Sequence, residues 1–98
     1  MKTGMQALAG QWEKQTTTPC ARPYPSRLVL HPGGVYDAPG AAEEGALWHG
    51  GDWSVTEDRL TMMMANDAMM SYALKISDDG QLKITDPTGC EITYKPLA

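Results

Sequence analysis

Hydrophobic and polar residues alternate one by one along most of the chain, the pattern of strands that bury one face. The clearest run covers residues 70–76, where large apolar residues at the even positions alternate with serine, alanine and lysine. Shorter runs of the same kind occupy much of the remaining chain. Together they predict eight strands, over residues 10–18, 27–30, 35–36, 52–55, 59–65, 70–76, 81–85 and 90–95.

Turn-forming residues separate these runs at short intervals. The segments HPGG at 31–34, SDDG at 77–80 and DPTG at 86–89 are typical of tight turns. Residues 19–26 contain three prolines, so we expect a loop that crosses one end of the fold and no helix. Residues 37–46 hold at most one helical turn, at AAEE, and are predicted to be a mobile loop at the barrel mouth.

Short strands in hairpin order, without a long helix, predict an all-β fold. We expect a small antiparallel up-and-down β-barrel of about eight strands, with a compact sandwich as the alternative, because closure removes exposed strand edges. A chain of 98 residues is too short to bury a second core. It is therefore predicted to be a single domain over residues 8–98, preceded by a flexible tail over residues 1–7.

A Gly-x-Trp sequence occurs twice, at Gly10–Trp12 and at Gly51–Trp53. Each begins a segment with a strand-turn-strand pattern. Glycine lets the backbone pass close to a large indole, and such a pair can plug one end of a barrel. We therefore predict structural roles for Gly10, Trp12 and Gly51.

The charge distribution argues against nucleic acid as a partner. The net charge is −4, and the eight Lys and Arg are scattered singly, whereas phosphate-backbone binding needs a basic stripe. No apolar run reaches the roughly 18–20 residues of a membrane-spanning helix, so no span is predicted. We expect a monomer or a weak dimer.

The two cysteines lie near the two ends of the chain. Cys20 follows the first predicted strand and Cys90 begins the last, and those strands are neighbours in a closed barrel. A disulfide is therefore geometrically reasonable, with two buried free thiols as the alternative, and a disulfide would indicate an oxidising compartment. The first residues contain Lys2 but no apolar run, so they are not expected to be a signal peptide. We expect a periplasmic or secreted protein if a signal peptide preceded them, and a cytoplasmic one otherwise.

The order of glycines, tryptophans and turns resembles that of the small bacterial lipocalin-like, or calycin-type, domains. The matching elements run from residue 8 to residue 95: Leu8-x-Gly10-x-Trp12, the turn before Val35-Tyr36, Gly51-x-Trp53-x-Val55, Leu60-x-Met62, Tyr72-x-Leu74, Asp79-Gly80-x-Leu82, Gly89 and Tyr94. This resemblance implies an antiparallel barrel that binds a small ligand at its open end.

The opening Leu8-Ala9-Gly10-Gln11-Trp12 is also similar to that of the small bacterial metalloprotease inhibitors. Those proteins are eight-stranded barrels of about this length, and they insert an N-terminal tail into the protease cleft. The similarity implies a protein-binding role for the tail over residues 1–7.

Metal and cofactor binding are not expected. His31, His49, Cys20 and Cys90 are zinc-ligand types, but they lack CxxC or HxxxH spacing. Five methionines at 62–64 and 69–70 are of the type that binds Cu(I). Core filling is the expected explanation, because methionine adapts to irregular gaps.

Catalytic residues are not expected either. The paired carboxylates at 43–44, 57–58 and 78–79 are adjacent in turns, whereas catalytic pairs usually converge from separate strands. No Gly-x-Ser-x-Gly sequence or phosphate-binding glycine loop is present. The chain is therefore predicted not to be an enzyme.

The leading hypothesis is a binding module for a small apolar or aromatic ligand. Tyr36 and Trp48 flank the 37–46 loop and are the predicted mouth residues. The full predicted ligand-binding set is Tyr36, Trp48, Trp53, Met62, Met64 and Tyr72. The alternative is a protein-binding module, such as a protease inhibitor, that uses the N-terminal tail or the Pro-rich loop with Tyr24. A purely structural domain is the third possibility.

Overall fold

Eight antiparallel strands close into a barrel in the computed structural model, which describes residues 8–56, 58–64 and 66–97. The strands are β1 (Gly10–Lys14), β2 (Arg27–Leu30), β3 (Val35–Asp37), β4 (Gly50–Thr56), β5 (Arg59–Met63), β6 (Met69–Ile76), β7 (Leu82–Thr85) and β8 (Glu91–Leu97). Each strand pairs with the next in sequence, and β8 returns to pair with β1. The predicted all-β, up-and-down barrel is confirmed.

The connections between strands divide into two sets, one at each end of the barrel. At what we call the cavity end lie the connections over residues 15–26, 38–49, 64 with 66–68, and 86–90. At the opposite end lie the connections over residues 31–34, 58 and 77–81. Because β1 starts at this opposite end, the chain also enters the barrel there.

Two short helical segments lie at the cavity end, in the connections that were predicted to be loops. A 3₁₀ turn covers Pro19–Ala21, and the helix α1 covers Ala41–Glu44. The first corrects the prediction that the prolines exclude any helix, since Pro19 occupies the first helical position, where no amide donor is needed. Within the described ranges, no helix has the length and apolar character needed to cross a membrane.

Strand β1 is shorter than predicted, because it ends at Lys14 rather than Thr18. Beyond Lys14 the amide of Gln15 still donates to the carbonyl of Thr93, at 2.7 Å. The hydroxyl of Thr16 then accepts a hydrogen bond from the Thr93 amide, also at 2.7 Å. A side chain here replaces the backbone partner of the ladder, so regular pairing stops.

The core is formed by inward side chains of all eight strands together with residues outside the strands, such as Leu8 and Trp48. The largest fully buried side chains are Trp48, Tyr36, Tyr72, Tyr94, Leu8, Leu28, Leu30, Leu60, Met62, Leu82, Ile84 and Ile92. Trp12 and Trp53 are also buried, and their indole N–H groups donate to the carbonyls of Leu8 and His31, each at 2.9 Å. These bonds direct both indoles towards the opposite end of the barrel and satisfy their only polar atoms.

The two Gly-x-Trp glycines have different roles. Both have positive φ, +139° at Gly10 and +145° at Gly51, which side-chain-bearing residues rarely adopt. A Cβ at Gly51 would lie 2.8 Å from Sδ of Met63, whereas a Cβ at Gly10 would meet open space. The expected close approach of these glycines to an indole is therefore corrected. The missing side chain of Gly51 leaves room for Met63, whereas Gly10 is required for its positive φ.

Candidate functional site

An open cavity of about 360 Å³ lies at the cavity end of the barrel. Its lining comes from all four connections of that end and from the beginning of β6, and most of it is apolar. The lining residues are Cys20, Pro23, Tyr24, Leu47, Met64, Met70, Tyr72, Asp86, Pro87 and Thr88.

The 15–26 connection forms one wall of this cavity and is bonded to its neighbours. A disulfide joins Cys20 to Cys90, with the two Cα atoms 6.0 Å apart, so of the two alternatives the disulfide is the one that the structure contains. The amide of Leu47 donates to the carbonyl of Pro23, at 2.5 Å. The hydroxyl of Tyr94 donates to the carbonyl of Pro25, at 2.6 Å. These contacts fix the connection over the barrel end, although its own sequence has little regular structure.

A lysine and a glutamate support the same connection from its outer side. The ammonium group of Lys14 donates to the carbonyls of Ala21 at 2.9 Å and Tyr24 at 2.7 Å. Burial lowers the pKa of Lys14, while the charge of Glu44 acts in the opposite sense. Glu44 in turn accepts hydrogen bonds from the amide and the hydroxyl of Ser26, and these bonds lower its pKa. The connection is thus tied to β1 and to α1.

Three aromatic rings pack edge to face at the base of the cavity. The ring centroids of Tyr24 and Trp48 are 5.1 Å apart, those of Trp48 and Tyr72 are 5.3 Å apart, and those of Tyr24 and Tyr72 are 6.2 Å apart. The indole N–H of Trp48 donates to the hydroxyl of Tyr72, at 3.1 Å. Edge-to-face packing brings the positive edge of one ring to the negative face of another, and this arrangement stabilises the cluster. Tyr24 and Tyr72 of the cluster line the cavity.

Asp86 is the only charged residue among the described residues that line the cavity. Its Oδ2 accepts a hydrogen bond of 2.7 Å from the hydroxyl of Tyr24. Its Oδ1 accepts from the amide and hydroxyl of Thr88 and from the amide of Cys90. Burial raises the pKa of Asp86, but these hydrogen bonds outweigh burial and lower it overall. The carboxylate is therefore ionised at neutral pH.

The tyrosines of the site stay neutral at the same pH. Burial is the main cause that raises the pKa of Tyr24, and its hydrogen bond to Asp86 adds to the effect. Burial likewise raises the pKa of Tyr72, against the lowering effect of the bond from Trp48. The cavity therefore combines neutral aromatic rings, two thioethers and one carboxylate.

The structure brings two of the six predicted ligand-binding residues to the cavity, Met64 and Tyr72. Trp48 lies directly behind Tyr72 and is fully buried, and Tyr36 is fully buried with its hydroxyl bonded to the carbonyl of Met63. Trp53 and Met62 are core residues that do not line the cavity. Tyr36 and Trp48 are therefore not exposed at a mouth, because both belong to the buried core.

Sequence reasoning did not assign Asp86, Leu47 or Tyr24 to a ligand site. The DPTG segment was correctly predicted to be a turn, but nothing in it indicates that Asp86 reaches Tyr24. The alternative hypothesis gives Tyr24 of the Pro-rich loop a role in contacting a protein partner; in the structure Tyr24 is 4% exposed and its hydroxyl is bonded to Asp86. The signal available for the site was the alternation that places Met70 and Tyr72 on one face.

Three of the candidate zinc ligands, Cys20, Cys90 and His31, are bonded to partners within the protein. Cys20 and Cys90 are joined to each other, and His31 pairs with Asp37 at 2.8 Å on the surface. Across the ranges that the structure describes, no three His, Cys, Asp or Glu side chains come close enough to hold a metal ion. Of the clustered methionines, Met62 is buried in the core, Met69 is exposed, and Met64 and Met70 line the cavity.

Comparison with known proteins found no matching family model, no similar curated protein and no similar solved structure.

Proposed function

We propose that this protein is a non-enzymatic, lipocalin-like binding module that takes up a small apolar or aromatic ligand at the cavity end of its barrel. The observation that carries the proposal is the cavity of about 360 Å³, lined mostly by rings, thioethers and prolines. Ligand sites of small molecules typically occupy about 300–1,000 Å³ and combine apolar walls with a few polar groups. The cavity is open and lies at the cavity end, so the ligand would bind at the mouth of the barrel.

The rim of the cavity supports this proposal. Leu47 lines the cavity and is 37% exposed, and Met69, next to the lining residue Met70, is 49% exposed. Contact with a ligand in the cavity would remove these two apolar side chains from water. Met64 and Met70 can also adjust to ligands of different shape, because methionine has three rotatable bonds and a polarizable sulfur.

A neutral solvatochromic dye tests the proposal. Leu47→Ser removes an apolar wall, and Ile76→Ser is the matched control, since Ile76 is 39% exposed at the other end of the molecule. The Leu47 backbone bond to Pro23 is kept in both variants. We expect dye affinity to fall about tenfold for Leu47→Ser, the cost of losing one leucine contact, and to stay unchanged for Ile76→Ser.

Absence of dye binding by the unaltered protein would contradict the proposal, as would equal affinity in both variants. The tail form of the competing protein-binding hypothesis is separable, because β1 begins at the end opposite to the cavity. Deletion of residues 1–7 should leave dye affinity unchanged. If the deletion abolished capture of a protease while the cavity substitutions had no effect, the tail would carry the function.

A further inference from the structure

We infer that the cavity selects ligands that carry a positive charge, of the chemical class of protonated amines with an apolar body. The inference rests on the proposed function and goes further by assigning the charge of the ligand. It follows from the placement of one carboxylate, the absence of a cation on the described cavity wall, and the aromatic and sulfur groups around it.

The carboxylate of Asp86 has room for one more donor. Each oxygen of a carboxylate offers about two acceptor positions, so three donors saturate one oxygen. Oδ1 accepts from the amide of Thr88, its hydroxyl and the amide of Cys90, at 2.9, 2.6 and 2.9 Å. Among the residues that the structure describes, Oδ2 accepts from Tyr24 alone, which also lines the cavity. The free position on Oδ2 therefore suits a hydrogen bond from a ligand N–H group.

No lysine, arginine or histidine is found among the described residues that line the cavity, so Asp86 has no cationic partner in that lining. Lys14 supports the same connection, but its ammonium group donates to the carbonyls of Ala21 and Tyr24. Arg59 shares a second pocket with Asp86 but does not line this cavity. An anionic ligand would be repelled by the charge of Asp86, and a neutral ligand could gain at most a hydrogen bond from it. A cation would pair with it in a site partly shielded from water.

The remaining walls also favour a cation with an apolar body. Tyr24 and Tyr72 line the cavity with rings at 85° to each other, and the faces of aromatic rings carry negative potential that attracts ammonium groups. Met64 and Met70 contribute soft, polarizable sulfur atoms. Selection against neutral and anionic analogues then comes from Asp86, and affinity comes from the apolar walls.

Three probes with the same hydrocarbon cage separate charge from shape: adamantylamine, adamantanol and adamantane carboxylate. Calorimetric titration of the intact, disulfide-bonded protein gives each affinity. Spectra of protein labelled at its methionine methyl groups give the location, and the signals of Met64 and Met70 should shift while that of the core residue Met62 should not. We expect the amine to bind at least about tenfold more tightly than the alcohol, and the carboxylate to bind most weakly.

The role of the carboxylate is tested by Asp86→Asn, with Asp52→Asn, an exposed aspartate on β4, as the matched control. The side-chain carbonyl of the introduced asparagine can still accept from Thr88 and Cys90, and the preference for the amine over the alcohol should disappear in this variant alone. If Asp86→Asn does not fold, a salt titration of the unaltered protein tests whether charge contributes to binding of the amine. Added salt should weaken binding of the amine but not of the alcohol.

The outcomes distinguish this inference from the proposed function. Equal binding of the amine and the alcohol to the labelled methionines would overturn the charge preference and leave the apolar cavity in place. Tighter binding of the carboxylate would also overturn it. If none of the three probes shifted Met64 or Met70, both the charge preference and the proposed ligand site would be wrong.

Discussion

The hydroxyl of Tyr24 donates a hydrogen bond of 2.7 Å to Oδ2 of Asp86, a residue 62 positions further along the chain. The bond joins the 15–26 connection to the 86–90 connection. The disulfide between Cys20 and Cys90 joins the same two connections. A covalent bond and a charge-assisted hydrogen bond thus act side by side on the wall of the cavity. Their separate contributions can be measured, because one responds to reductant and the other to mutation.

Removing the Tyr24 hydroxyl should destabilise the fold moderately. Tyr24→Phe keeps the ring in the aromatic cluster but leaves Oδ2 of Asp86 without its protein donor. A hydrogen bond to a charged group is worth about 1.5–3 kcal/mol, and partial solvation of Asp86 places the expected loss near the lower value. Urea unfolding measures the change. In an Asp86→Asn background the same substitution should cost less, and additive losses would show that the two side chains are not coupled.

All four tyrosines of the chain should resist ionisation in the native state, because burial is the leading cause that raises the pKa of each. The pKa of Tyr36 is raised to about 12. A tyrosine whose folded pKa exceeds its unfolded pKa of about 10 contributes stability that is complete below pH 10 and is lost as the pH rises further.

An ultraviolet absorbance titration checks this expectation. The native protein should show little tyrosinate near pH 10, where the same protein in concentrated urea should be about half ionised. Stability should then fall as the pH rises from about 10 towards 12. Superimposed titration curves for the native and the unfolded protein would contradict the assigned burial.

Reduction of the disulfide should lower stability by about 4 kcal/mol, because a crosslink across this separation removes that much loop-closure entropy from the unfolded chain. The bond spans 70 residues of sequence. Guanidinium unfolding with and without reductant measures the difference. The double variant Cys20→Ser, Cys90→Ser serves as the control, and its stability should match that of the reduced protein and not respond to reductant.

Alanine at Gly51 should be more harmful than alanine at Gly10. Both substitutions force a side chain onto a backbone with positive φ, at a cost of about 1–3 kcal/mol. Only the Cβ at Gly51 would also contact Met63, at 2.8 Å from its sulfur, and such overpacking typically adds about 1–3 kcal/mol. Thermal unfolding of the two variants gives the comparison. Combining Gly51→Ala with Met63→Ala should recover the overpacking part, and an unchanged loss in the combination would point to backbone strain alone.

Much of the barrel was predictable from the sequence, because strand periodicity and turn chemistry are local properties. The alternation over residues 70–76 corresponds to β6, and the SDDG and DPTG segments are turns between strands. The disulfide was predicted only as one of two alternatives. Its geometry depends on the first and last strands being neighbours, and barrel closure supplies that condition.

The candidate site was predictable only in part. Met64 and Tyr72 were assigned to it from their place in the alternating pattern, whereas Tyr36 and Trp48 were assigned from their position beside a loop. A loop next to an aromatic residue does not reveal whether the loop turns away from the barrel or folds over it. Here Ala38, Ala41, Ala46 and Trp48 of the 38–49 connection are part of the core, and Tyr36 is buried in the same cluster.

The sequence by itself determined the strand pattern, the turns and the hairpin order, since each depends on residues close together in the chain. Tertiary structure alone decided which side chains meet at the cavity end. Leu47, Met64, Met70 and Asp86 come from separate connections and strands, and Tyr24 reaches Asp86 only because the 15–26 connection crosses the barrel. Such contacts depend on packing between residues far apart in the chain, and local periodicity carries no information about that packing.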